Sequence, residues 1–330
     1  MRAARIVGEP AGGKVTVLEV PCPEPGPDEV LVRVKASALN RGEILQAGRV
    51  TSGDPVPIGV EFAGEVEQVG ARVSRWRVGD RVMGHGTGGQ AEYVVAAPLA
   101  LMPVPDNVSW VQAAAFPNVF ITAHDALITN ARMQPGESVL VNAASSGIGL
   151  AAIRIAQAMG AGRIVATTRS NDKADRLKTL GLDCVVNVST HDQVAEVSAA
   201  TEGAGVDVII DSVGGTVFES NLECLAVQGR LVNIGRLGSA TASIDLNALW
   251  LKRLQLIGVT FRTRTETERL ECVQAAARDL MTPLAAGLLN TPIDRTYQLG
   301  DIAAAHEYMK TDQHFGKIVL LVDPAADEAA

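Results

Sequence analysis

The chain has 330 residues, of which 47% are hydrophobic and 20% charged, and its formal net charge at pH 7 is −8. This length suits two domains, and the composition is typical of a soluble globular protein. The negative charge and the lack of a basic block argue against nucleic-acid binding. No apolar run reaches the roughly 18 residues of a membrane span, and the N-terminus lacks a secretory signal, so we expect no membrane association.

The cysteines are far apart and show no metal-binding spacing; they are Cys22, Cys184, Cys224 and Cys272. Scattered cysteines are typical of reduced thiols inside cells, whereas regular frameworks are typical of secreted domains. We therefore expect a cytoplasmic protein.

Residues 1–100 contain short strand-like runs that glycine- and proline-rich segments separate. Residues 15–20 and 29–34 alternate apolar and polar side chains, which is typical of half-buried strands. Many short strands broken by glycine predict a compact β-barrel for this part of the chain.

The pattern changes at Ser109, where an apolar, helix-forming segment begins. After residue 136, strand-like runs alternate with helical segments, which is the pattern of a doubly wound parallel sheet. The sequence predicts six strands in this sheet, at residues 138–142, 163–168, 184–187, 206–210, 230–234 and 255–261.

The stretch from Val139 to Lys173 has the order strand, small-residue turn, helix and strand, over about the 30 residues of a dinucleotide-binding unit. A helix N-terminus offers a pyrophosphate unpaired N–H groups and the positive end of the helix dipole. The residues that we expect to bind it are Ala144, Ser145, Ser146, Gly147, Ile148 and Gly149. Because Ala144 and Ser146 replace the first two glycines of the GxGxxG motif, an ordinary strand–helix turn is the alternative.

The end of the second strand in this unit predicts which cofactor binds. An NAD-binding unit usually has Asp or Glu there, hydrogen-bonded to the ribose 2′-OH. This chain instead has Thr168, Arg169, Ser170 and Lys173. Hydroxyl groups and cations suit a 2′-phosphate, so the sequence predicts NADPH rather than NADH.

Several motifs follow one another along nearly the whole chain: GVEFAGEV, VGDRV, GQAEYVV, FITAHDAL, AASSGIG, GVDVIIDSVGG, GRLVNIG and HFGKIVL. In this order they resemble the medium-chain dehydrogenase/reductase superfamily, and most of all its zinc-free quinone oxidoreductase (zeta-crystallin-like) branch. The resemblance implies an α/β protein. A GroES-like β-barrel catalytic domain would span residues 1–120 and 262–330, and an NADPH-binding Rossmann domain, with the six-stranded doubly wound parallel sheet, would span residues 121–261.

The residues at the zinc positions of related dehydrogenases indicate that this chain binds no metal. A catalytic zinc needs three protein ligands of the Cys, His or carboxylate kind. Residues 38–42, where zinc-dependent relatives have a cysteine, contain none, and Val60 stands where they have a histidine. Their cysteine-rich lobe is also missing between Gly86 and Gln90.

Without a metal to polarise the substrate, hydride has to go to an acceptor that is already electrophilic. A quinone meets this requirement, and so does a C=C bond conjugated to a carbonyl (an enone). The oxyanion that forms needs a hydrogen-bond donor or a proton. We therefore expect an enzyme of the NADPH:quinone oxidoreductase type that acts on a small-molecule quinone or enone.

Three residues are catalytic candidates. Asn40, in the segment that the resemblance places at the nicotinamide, would donate a hydrogen bond to the substrate carbonyl, or would instead cap the short helix that follows. Arg41 would contact substrate or cofactor phosphate, or would be an ordinary surface arginine. Tyr93 is a candidate phenol, with a packed position in a sheet as the alternative. His85, in the loop GHGTGG, we expect to be an exposed loop residue rather than a proton donor.

The resemblance also implies cofactor contacts outside the glycine-rich turn. Many of them follow strands at the carboxyl edge of the sheet, where ligands bind in open α/β folds. Lys317 is similar to a basic residue that reaches the cofactor phosphates, with a plain surface lysine as the alternative. The full set is Asn40, Thr122, Ser212, Val213, Asn233, Ile234, Gly235, Phe261, Arg262, Phe315 and Lys317.

The segment 254–261 resembles the edge strand through which members of this family pair with a second subunit. An exposed apolar edge strand is a liability unless it is covered, so we expect a homodimer. Two other functions are compatible with the sequence, an enoyl-thioester (enoyl-CoA) reductase and a non-catalytic NADPH-binding sensor or scaffold. A zinc alcohol dehydrogenase would require metal in the protein.

Overall fold

The computed structural model describes residues 1–327, which form two compact units. Unit 1 consists of Met1–Ile121 and Glu266–Ala330, and unit 2 consists of Thr122–Thr265. Residues 328–330 of the predicted C-terminal segment lie outside the described residues.

The strands of the described chain are, in order, β1 (Arg2–Val7), β2 (Lys14–Glu19), β3 (Val30–Ala38), β4 (Val56–Pro57), β5 (Glu61–Val69), β6 (Arg81–His85), β7 (Tyr93–Ala96), β8 (Leu101–Pro103), β9 (Ser138–Val141), β10 (Arg163–Thr168), β11 (Cys184–Asn187), β12 (Val206–Asp211), β13 (Leu225–Asn233), β14 (Gln255–Gly258), β15 (Ile293–Gln298) and β16 (Lys317–Leu321).

The α-helices are α1 (Arg41–Ala47), α2 (Trp110–Ala114), α3 (Pro117–His124), α4 (Gly147–Ala158), α5 (Asn171–Lys178), α6 (Gln193–Ala200), α7 (Phe218–Cys224), α8 (Leu246–Lys252), α9 (Glu266–Ala285) and α10 (Ile302–Lys310), and a π-helical segment, Asp125–Asn130, follows α3. None of the helices within residues 1–327 combines the length and the apolar character that a bilayer crossing requires.

Unit 2 is built on one parallel sheet with the strand order β11-β10-β9-β12-β13-β14. This is the doubly wound order, in which strands are added first towards one edge of the sheet and then towards the other, and the switch lies between the first and fourth strands, here β9 and β12. The inner strands are almost wholly apolar because helices cover both faces, and Leu140, Val165 and Ile209 belong to the core. The predicted α/β Rossmann-type sheet is confirmed.

Two strands of this sheet differ from the prediction by more than one residue at an end. β13 begins at Leu225 rather than at residue 230, and β14 ends at Gly258 rather than at residue 261. The N–H of Val259 still donates to the Asn233 carbonyl, after which the chain turns away from the ladder. Apolar composition continues past the last paired residue, so composition alone could not place the strand end.

Unit 1 contains a small sheet, β2-β1-β4, and a larger one with the order β15-β16-β3-β5-β6-β8, in which β7 also pairs with β3. Its core includes Val32, Phe62, Val82 and Ile318. Antiparallel pairing joins β3 to β5 and to β16, and β5 to β6. The end of β3, the start of β5, the end of β6 and the start of β16 therefore lie together at one end of the sheet.

Candidate active site

In unit 2, the loop that joins β9 to α4 is held tightly against the sheet. Ser146 is the N-cap of α4, and its Oγ accepts a hydrogen bond from the Gly149 N–H at 3.1 Å. Ala143 has a φ of 50°, in the left-handed region that favours glycine. A Cβ added at Gly149 would lie 2.7 Å from the Ala144 Cα, so a side chain there would push the helix away from the loop. Backbone strain and close approach of this kind are typical of ligand-binding turns.

Two peptide N–H groups at the start of α4 have no acceptor among residues 1–327. They belong to Gly147 and Ile148, the first two residues of this 12-residue helix. Unpaired N–H groups and the positive end of the helix dipole together attract anions. The predicted residues 144–149 are thus brought into one loop whose donors fit a dinucleotide pyrophosphate.

A network of buried polar side chains holds the start of this loop, where the chain leaves β9. The Asn142 side chain donates to Asn221 Oδ1 at 2.8 Å and accepts from the Thr167 hydroxyl at 3.0 Å. Gln193 donates to the same Asn221 oxygen at 3.0 Å. Because these side chains are almost fully buried, their mutual bonds fix the position of the chain as it leaves β9.

The loops after β12 and β13 are joined through Asp211. This buried carboxylate accepts the N–H groups of Val213, at 2.8 Å, and Gly214, at 3.1 Å. The Asn233 amide donates to Asp211 at 3.0 Å and to the Gly235 carbonyl at 2.7 Å. Burial raises the pKa of Asp211, while the bonds from Gly214, Val213 and Asn233 oppose that rise.

Ser212 sits between these loops with a buried hydroxyl that has no hydrogen-bond partner among the described residues. A Cβ on Gly235 would lie 2.7 Å from the Ser212 carbonyl oxygen, which shows how closely the two loops approach. Ile234 donates its N–H to the Asp211 carbonyl at 2.8 Å. A buried hydroxyl without a partner is costly unless a ligand satisfies it, so Ser212 fits a cofactor contact.

The residues predicted to hold a 2′-phosphate gather where β10 leads into α5. Thr168 ends β10 and is 5% exposed, and Ser170 is the N-cap of α5, with its Oγ 3.5 Å from the Lys173 nitrogen. Arg169 is exposed between them. Hydroxyl-bearing and basic residues therefore lie at the start of α5, with Asp172 as the acidic residue of its first turn, and the strand itself ends without a carboxylate.

The other predicted cofactor residues of unit 2 occupy more varied positions. Thr122 is partly buried on α3, and Arg262 is exposed on the turn after β14, with its N–H bonded to the Thr260 hydroxyl at 3.2 Å. The Arg264 guanidinium lies over the Phe261 ring at 4.9 Å and pairs with the buried Asp125 at 2.7 Å. This pair, which the sequence analysis missed, holds the turn that presents Phe261.

In unit 1, polar side chains meet at the end of the larger sheet where four strand termini lie together. We call Asn40, Glu61, His85, Asn118 and Lys317 the polar cluster. The register of the strands brings these side chains together. Val319 pairs with Ala38, which places the start of β16 beside the residue that follows β3. Glu61 pairs with His85.

Lys317 does not lie where a phosphate-binding residue would. It is 3% exposed, and its ammonium donates to Glu61 Oε1 at 2.7 Å, the Leu39 carbonyl at 2.8 Å and Asn40 Oδ1 at 2.9 Å. Three acceptors use all three N–H groups of the ammonium. The expectation that Lys317 reaches the cofactor phosphates is therefore corrected, and so is the alternative of a surface lysine. Lys317 is the buried ion-pair partner of Glu61.

Asn40 is likewise held by protein groups. Its amide donates to Glu61 at 2.8 Å and to the Ala38 carbonyl at 3.4 Å, and its oxygen accepts from Asn118 at 2.7 Å as well as from Lys317. Glu61 also accepts the Asn118 backbone N–H at 2.8 Å, at the start of α3. The expected role of Asn40 as a donor to the substrate carbonyl would require it to give up one of these bonds.

Glu43 and Gln90 form a second buried pair beside the cluster. The Gln90 amide donates to Glu43 Oε2 at 3.0 Å, as does the Asn40 backbone N–H at 3.2 Å. Glu43 Oε1 and the Gln90 amide oxygen have no partner among the described residues. Burial raises the pKa of Glu43 to about 7, against the bonds from Asn40 and Gln90 and the charge of Lys317, which lower it.

The side chain of Arg41 contacts the C-terminal end of α10, whereas we expected it to contact substrate or cofactor phosphate. Its guanidinium pairs with Asp312 and donates to the Met309 carbonyl at 3.2 Å, at the C-terminal end of α10. A cation that bonds the last carbonyl groups of a helix stabilises that helix end. Arg41 thus has a structural partner that explains its position without a ligand.

Tyr93 and Phe315 are also placed differently. Tyr93 pairs with Arg33 in the β3–β7 ladder, and the five residues from Arg33 to Ala38 put it about 16 Å from the cluster end of the sheet. Tyr93 therefore occupies a position within the sheet, which was the alternative to a catalytic role. The Phe315 ring is 2% exposed and belongs to the core, so only its backbone could reach a ligand.

The residues present do not fit a zinc ion. Among residues 1–327 no three His, Cys, Asp or Glu side chains are grouped as metal ligands. In the polar cluster, the only carboxylate is Glu61, and the Lys317 ammonium already bonds it. An ammonium at that distance repels a divalent cation and occupies the oxygen that a metal would need.

Two family models match the chain. The alcohol dehydrogenase GroES-like domain matches residues 26–106, and the zinc-binding dehydrogenase domain matches residues 147–276. Quinone oxidoreductase-like protein 2 of Mus musculus is 33% identical over 93% of this chain and 88% of its own length. The chain belongs to the medium-chain dehydrogenase/reductase family. The predicted resemblance to the medium-chain dehydrogenase/reductase superfamily is confirmed.

Polyketide synthases match this chain at similar sequence identity, over one part of their own length. The phenolphthiocerol synthesis polyketide synthase type I of Mycobacterium marinum is 32% identical over 96% of this chain. The chain spans only 12% to 15% of the length of the first polyketide synthases that it matches.

Solved structures confirm the family fold. An NAD-dependent alcohol dehydrogenase has a TM-score of 0.85 and 32% identity, covering 98% of this chain and 100% of its own. The quinone oxidoreductase of Pseudomonas syringae pv. Tomato DC3000 has a TM-score of 0.84 and 29% identity, covering 97% and 99%. The enoyl reductase JamJ has a TM-score of 0.84 and 28% identity, covering 97% and 99%.

Proposed function

We propose that this member of the family is a zinc-independent, NADPH-dependent reductase of quinones or α,β-unsaturated carbonyls. The observation that supports this most is the buried pair of Lys317 and Glu61, with Asn40 held against both. The Lys317 ammonium lies among the polar groups, and their side chains do not suit a metal ion that would act as a Lewis acid. An acceptor that needs no metal to become electrophilic fits such a site, and quinone oxidoreductases are among the relatives.

Unit 2 provides the groups that a bound NADPH would need. The N–H groups of Gly147 and Ile148 would bind its pyrophosphate. The buried Ser212 hydroxyl would form a hydrogen bond with the cofactor. Arg169 and Lys173 would hold the 2′-phosphate. When bound, NADPH supplies the hydride, while the protein contributes position, electrostatics and exclusion of water.

An enoyl-thioester reductase is the second candidate, because enoyl reductases and polyketide synthases are among the relatives. Reduction of an enone and reduction of an enoyl thioester both add hydride to the β-carbon of a conjugated carbonyl and leave an enolate oxyanion to be stabilised. They differ in the group attached to the carbonyl, which is carbon in an enone and sulfur in a thioester.

Turnover on three acceptors separates these candidates. NADPH oxidation would be followed with an ortho-quinone, a simple enone and an enoyl-CoA, each with chelator-treated protein. Faster turnover of the quinone or enone supports the proposal, and preference for the thioester supports the second candidate. NADPH binding without turnover of any acceptor would instead point to a sensor or scaffold.

The cofactor choice is tested at the start of α5. Replacing both Arg169 and Lys173 by Ala removes two charge-assisted contacts to the 2′-phosphate, so NADPH affinity should fall by about 10- to 100-fold. NADH affinity should change little, as titration by nicotinamide fluorescence would show. Lys178→Ala, an exposed residue of the same helix that pairs with Asp175, is the matched control and should leave both affinities unchanged. A parallel loss of NADH and NADPH affinity in the double variant would refute the phosphate role.

A further inference from the structure

His85 is a titratable member of the polar cluster to which the proposed function gives no task. It ends β6 directly opposite Glu61 and is partly buried, which corrects the expectation of an exposed loop histidine. Glycines 86, 88 and 89 follow it, and a Cβ added at Gly86 would meet nothing within 4 Å. The imidazole is therefore attached at the end of a strand, next to a segment with little side-chain bulk.

The imidazole is connected to the buried ion pair through two amides. Its side chain is hydrogen-bonded to that of Asn118, which donates its own amide N–H to Asn40 Oδ1 at 2.7 Å. That oxygen also accepts from the Lys317 ammonium at 2.9 Å. The bond to Asn118 favours the charged ring, in which both nitrogens are donors, so the Asn118 oxygen is the atom that accepts the imidazole N–H. Each amide is thus fixed from both sides, and the ring is fixed with them.

Charged groups face His85 from two elements. Glu61 on β5 favours the imidazolium, whereas Arg269 on α9 disfavours it. Lys317 lies behind Glu61 and takes up part of that negative charge. Burial is the largest influence and lowers the pKa of His85 below that of an ordinary histidine, against the Asn118 bond and Glu61. The protonated ring is consequently a stronger acid than a histidine in water.

We propose that His85 is the proton donor to the acceptor and that Asn118 is its positioning residue. This inference rests on the proposed reductase function. Once hydride has joined the β-carbon of an enone, or a quinone, the acceptor oxygen bears a negative charge. The imidazolium N–H bond then breaks and an O–H bond forms, which leaves neutral imidazole and a neutral enol or hydroquinone. The ring regains its proton from water.

The other members of the cluster are poorer donors. The Lys317 ammonium gives all its N–H groups to buried acceptors, Glu61 is hydrogen-bonded as an acceptor, and the amides of Asn40 and Asn118 do not release protons. Tyr93 lies at a distance along the sheet. His85 is therefore the member of the cluster whose chemistry suits general acid catalysis.

The first test uses no cofactor and measures the ring itself. The chain has five histidines, so NMR of protein with ¹³C-labelled histidine, with His85→Gln to assign the signal, gives the His85 titration directly. The signal should titrate below the pH of an ordinary histidine, and Asn118→Ala should move it lower still, because the bond to Asn118 favours the charged ring. A His85 signal that Asn118→Ala does not move would overturn the positioning role.

The second test is the pH dependence of kcat with a quinone or enone. The wild-type rate should fall as pH rises through the His85 titration, since the donor must be protonated, and Asn118→Ala should shift that fall to lower pH. His85→Gln should lower kcat by about 100-fold at low pH, remove the dependence and leave the KM for NADPH nearly unchanged. His191→Gln, an exposed histidine of unit 2, is the control and should match wild type.

The outcomes separate this inference from the proposed function. Wild-type turnover with an unaltered rate and pH profile in His85→Gln would overturn the inference and leave the reductase function standing. An equal loss of kcat at every pH, with the profile retained, would also overturn it, because a merely structural role gives that result. Absence of wild-type turnover on every acceptor would overturn both.

Discussion

The pair of Glu61 and Lys317 determines how the polar cluster is arranged. The two side chains are 0% and 3% exposed, so each charge depends on the other for compensation. A buried pair contributes little net stability relative to apolar residues, but removing one partner leaves the other charge buried and unpaired. The pair therefore fixes geometry, in that it sets the orientation of the Asn40 amide and, through Asn118, of His85.

Lys317→Met should lower the free energy of unfolding by about 3–5 kcal/mol, because it leaves the Glu61 carboxylate buried without a cation. Denaturant unfolding measures the loss. The double variant Glu61→Gln with Lys317→Met removes both charges and should recover part of it. Lys310→Met is the matched control, since Lys310 is exposed and pairs with exposed Glu307, and its effect should stay within about 1 kcal/mol. Equal losses for Lys317→Met and Lys310→Met would contradict a buried charge pair.

Glu43 should make the stability depend on pH. Its pKa is raised from 4.5 to about 7, so the folded state holds the proton more tightly than the unfolded state. Wild-type stability therefore falls as pH rises from 4.5 to 7, by about 3 kcal/mol at roughly 1.4 kcal/mol per pKa unit, and the loss is complete above pH 7.

Glu43→Gln tests this dependence, because its neutral amide can also donate to the unpartnered oxygen of Gln90. Relative to wild type, the variant should gain stability between pH 5 and pH 8, as urea unfolding at the two values would show. A difference between variant and wild type that stays constant over this range would mean that the buried carboxyl does not change its protonation there.

At the scale of elements, the packing of α4 against the loop after β9 determines whether two N–H groups are available to a phosphate. Gly149→Ala places a Cβ 2.7 Å from the Ala144 Cα, so the helix has to shift. We expect a loss of about 1–3 kcal/mol in stability and weaker NADPH binding. Gly300→Ala is the control, since nothing lies within 4 Å of an added Cβ there, and both quantities should stay near wild type. Unchanged NADPH affinity in Gly149→Ala would show that the loop is not the pyrophosphate site.

The elements of unit 2 could be predicted because each has a local signature. Buried strands such as β9 and β10 are continuous apolar runs, and small residues mark the turn into α4. The Asp211 loop was placed at the correct edge because all strands of a parallel sheet end on the same side. Strand ends such as Gly258 could not be predicted, since pairing stops there without a change in composition.

At the scale of the whole molecule, the polar cluster is what the sequence could not predict. Its members are separated by up to hundreds of positions, and only the antiparallel registers of β3, β5, β6 and β16 bring them together. Lys317 was mistaken for a surface or phosphate-binding residue because nothing near it in sequence shows its partner Glu61. Single polar residues inside apolar segments, such as Glu61 in GVEFAG and Asn118 in AAFPNVFI, were the signal that was available.

We propose that a second copy of the chain covers the edge of the unit 2 sheet. β14 lies at one edge of this sheet, and Leu256 on it is 39% exposed. Leu246, Trp250 and Leu251 of the neighbouring α8 are more exposed still. Leu256→Lys should therefore convert a dimer into monomers in sedimentation velocity. Val78→Lys, an equally drastic change at an exposed valine of unit 1, should leave the dimer intact. A wild-type protein that sediments as a monomer would refute this interface.

The most direct test of the central claim is a comparison of NADPH and NADH as reductants of one ortho-quinone, by wild-type protein freed of metal with a chelator. We expect turnover that survives chelation and a kcat/KM at least about 10-fold higher for NADPH, because one charge-assisted phosphate contact changes affinity by about that factor. Activity that requires added zinc, or activity with NADH alone, would contradict it.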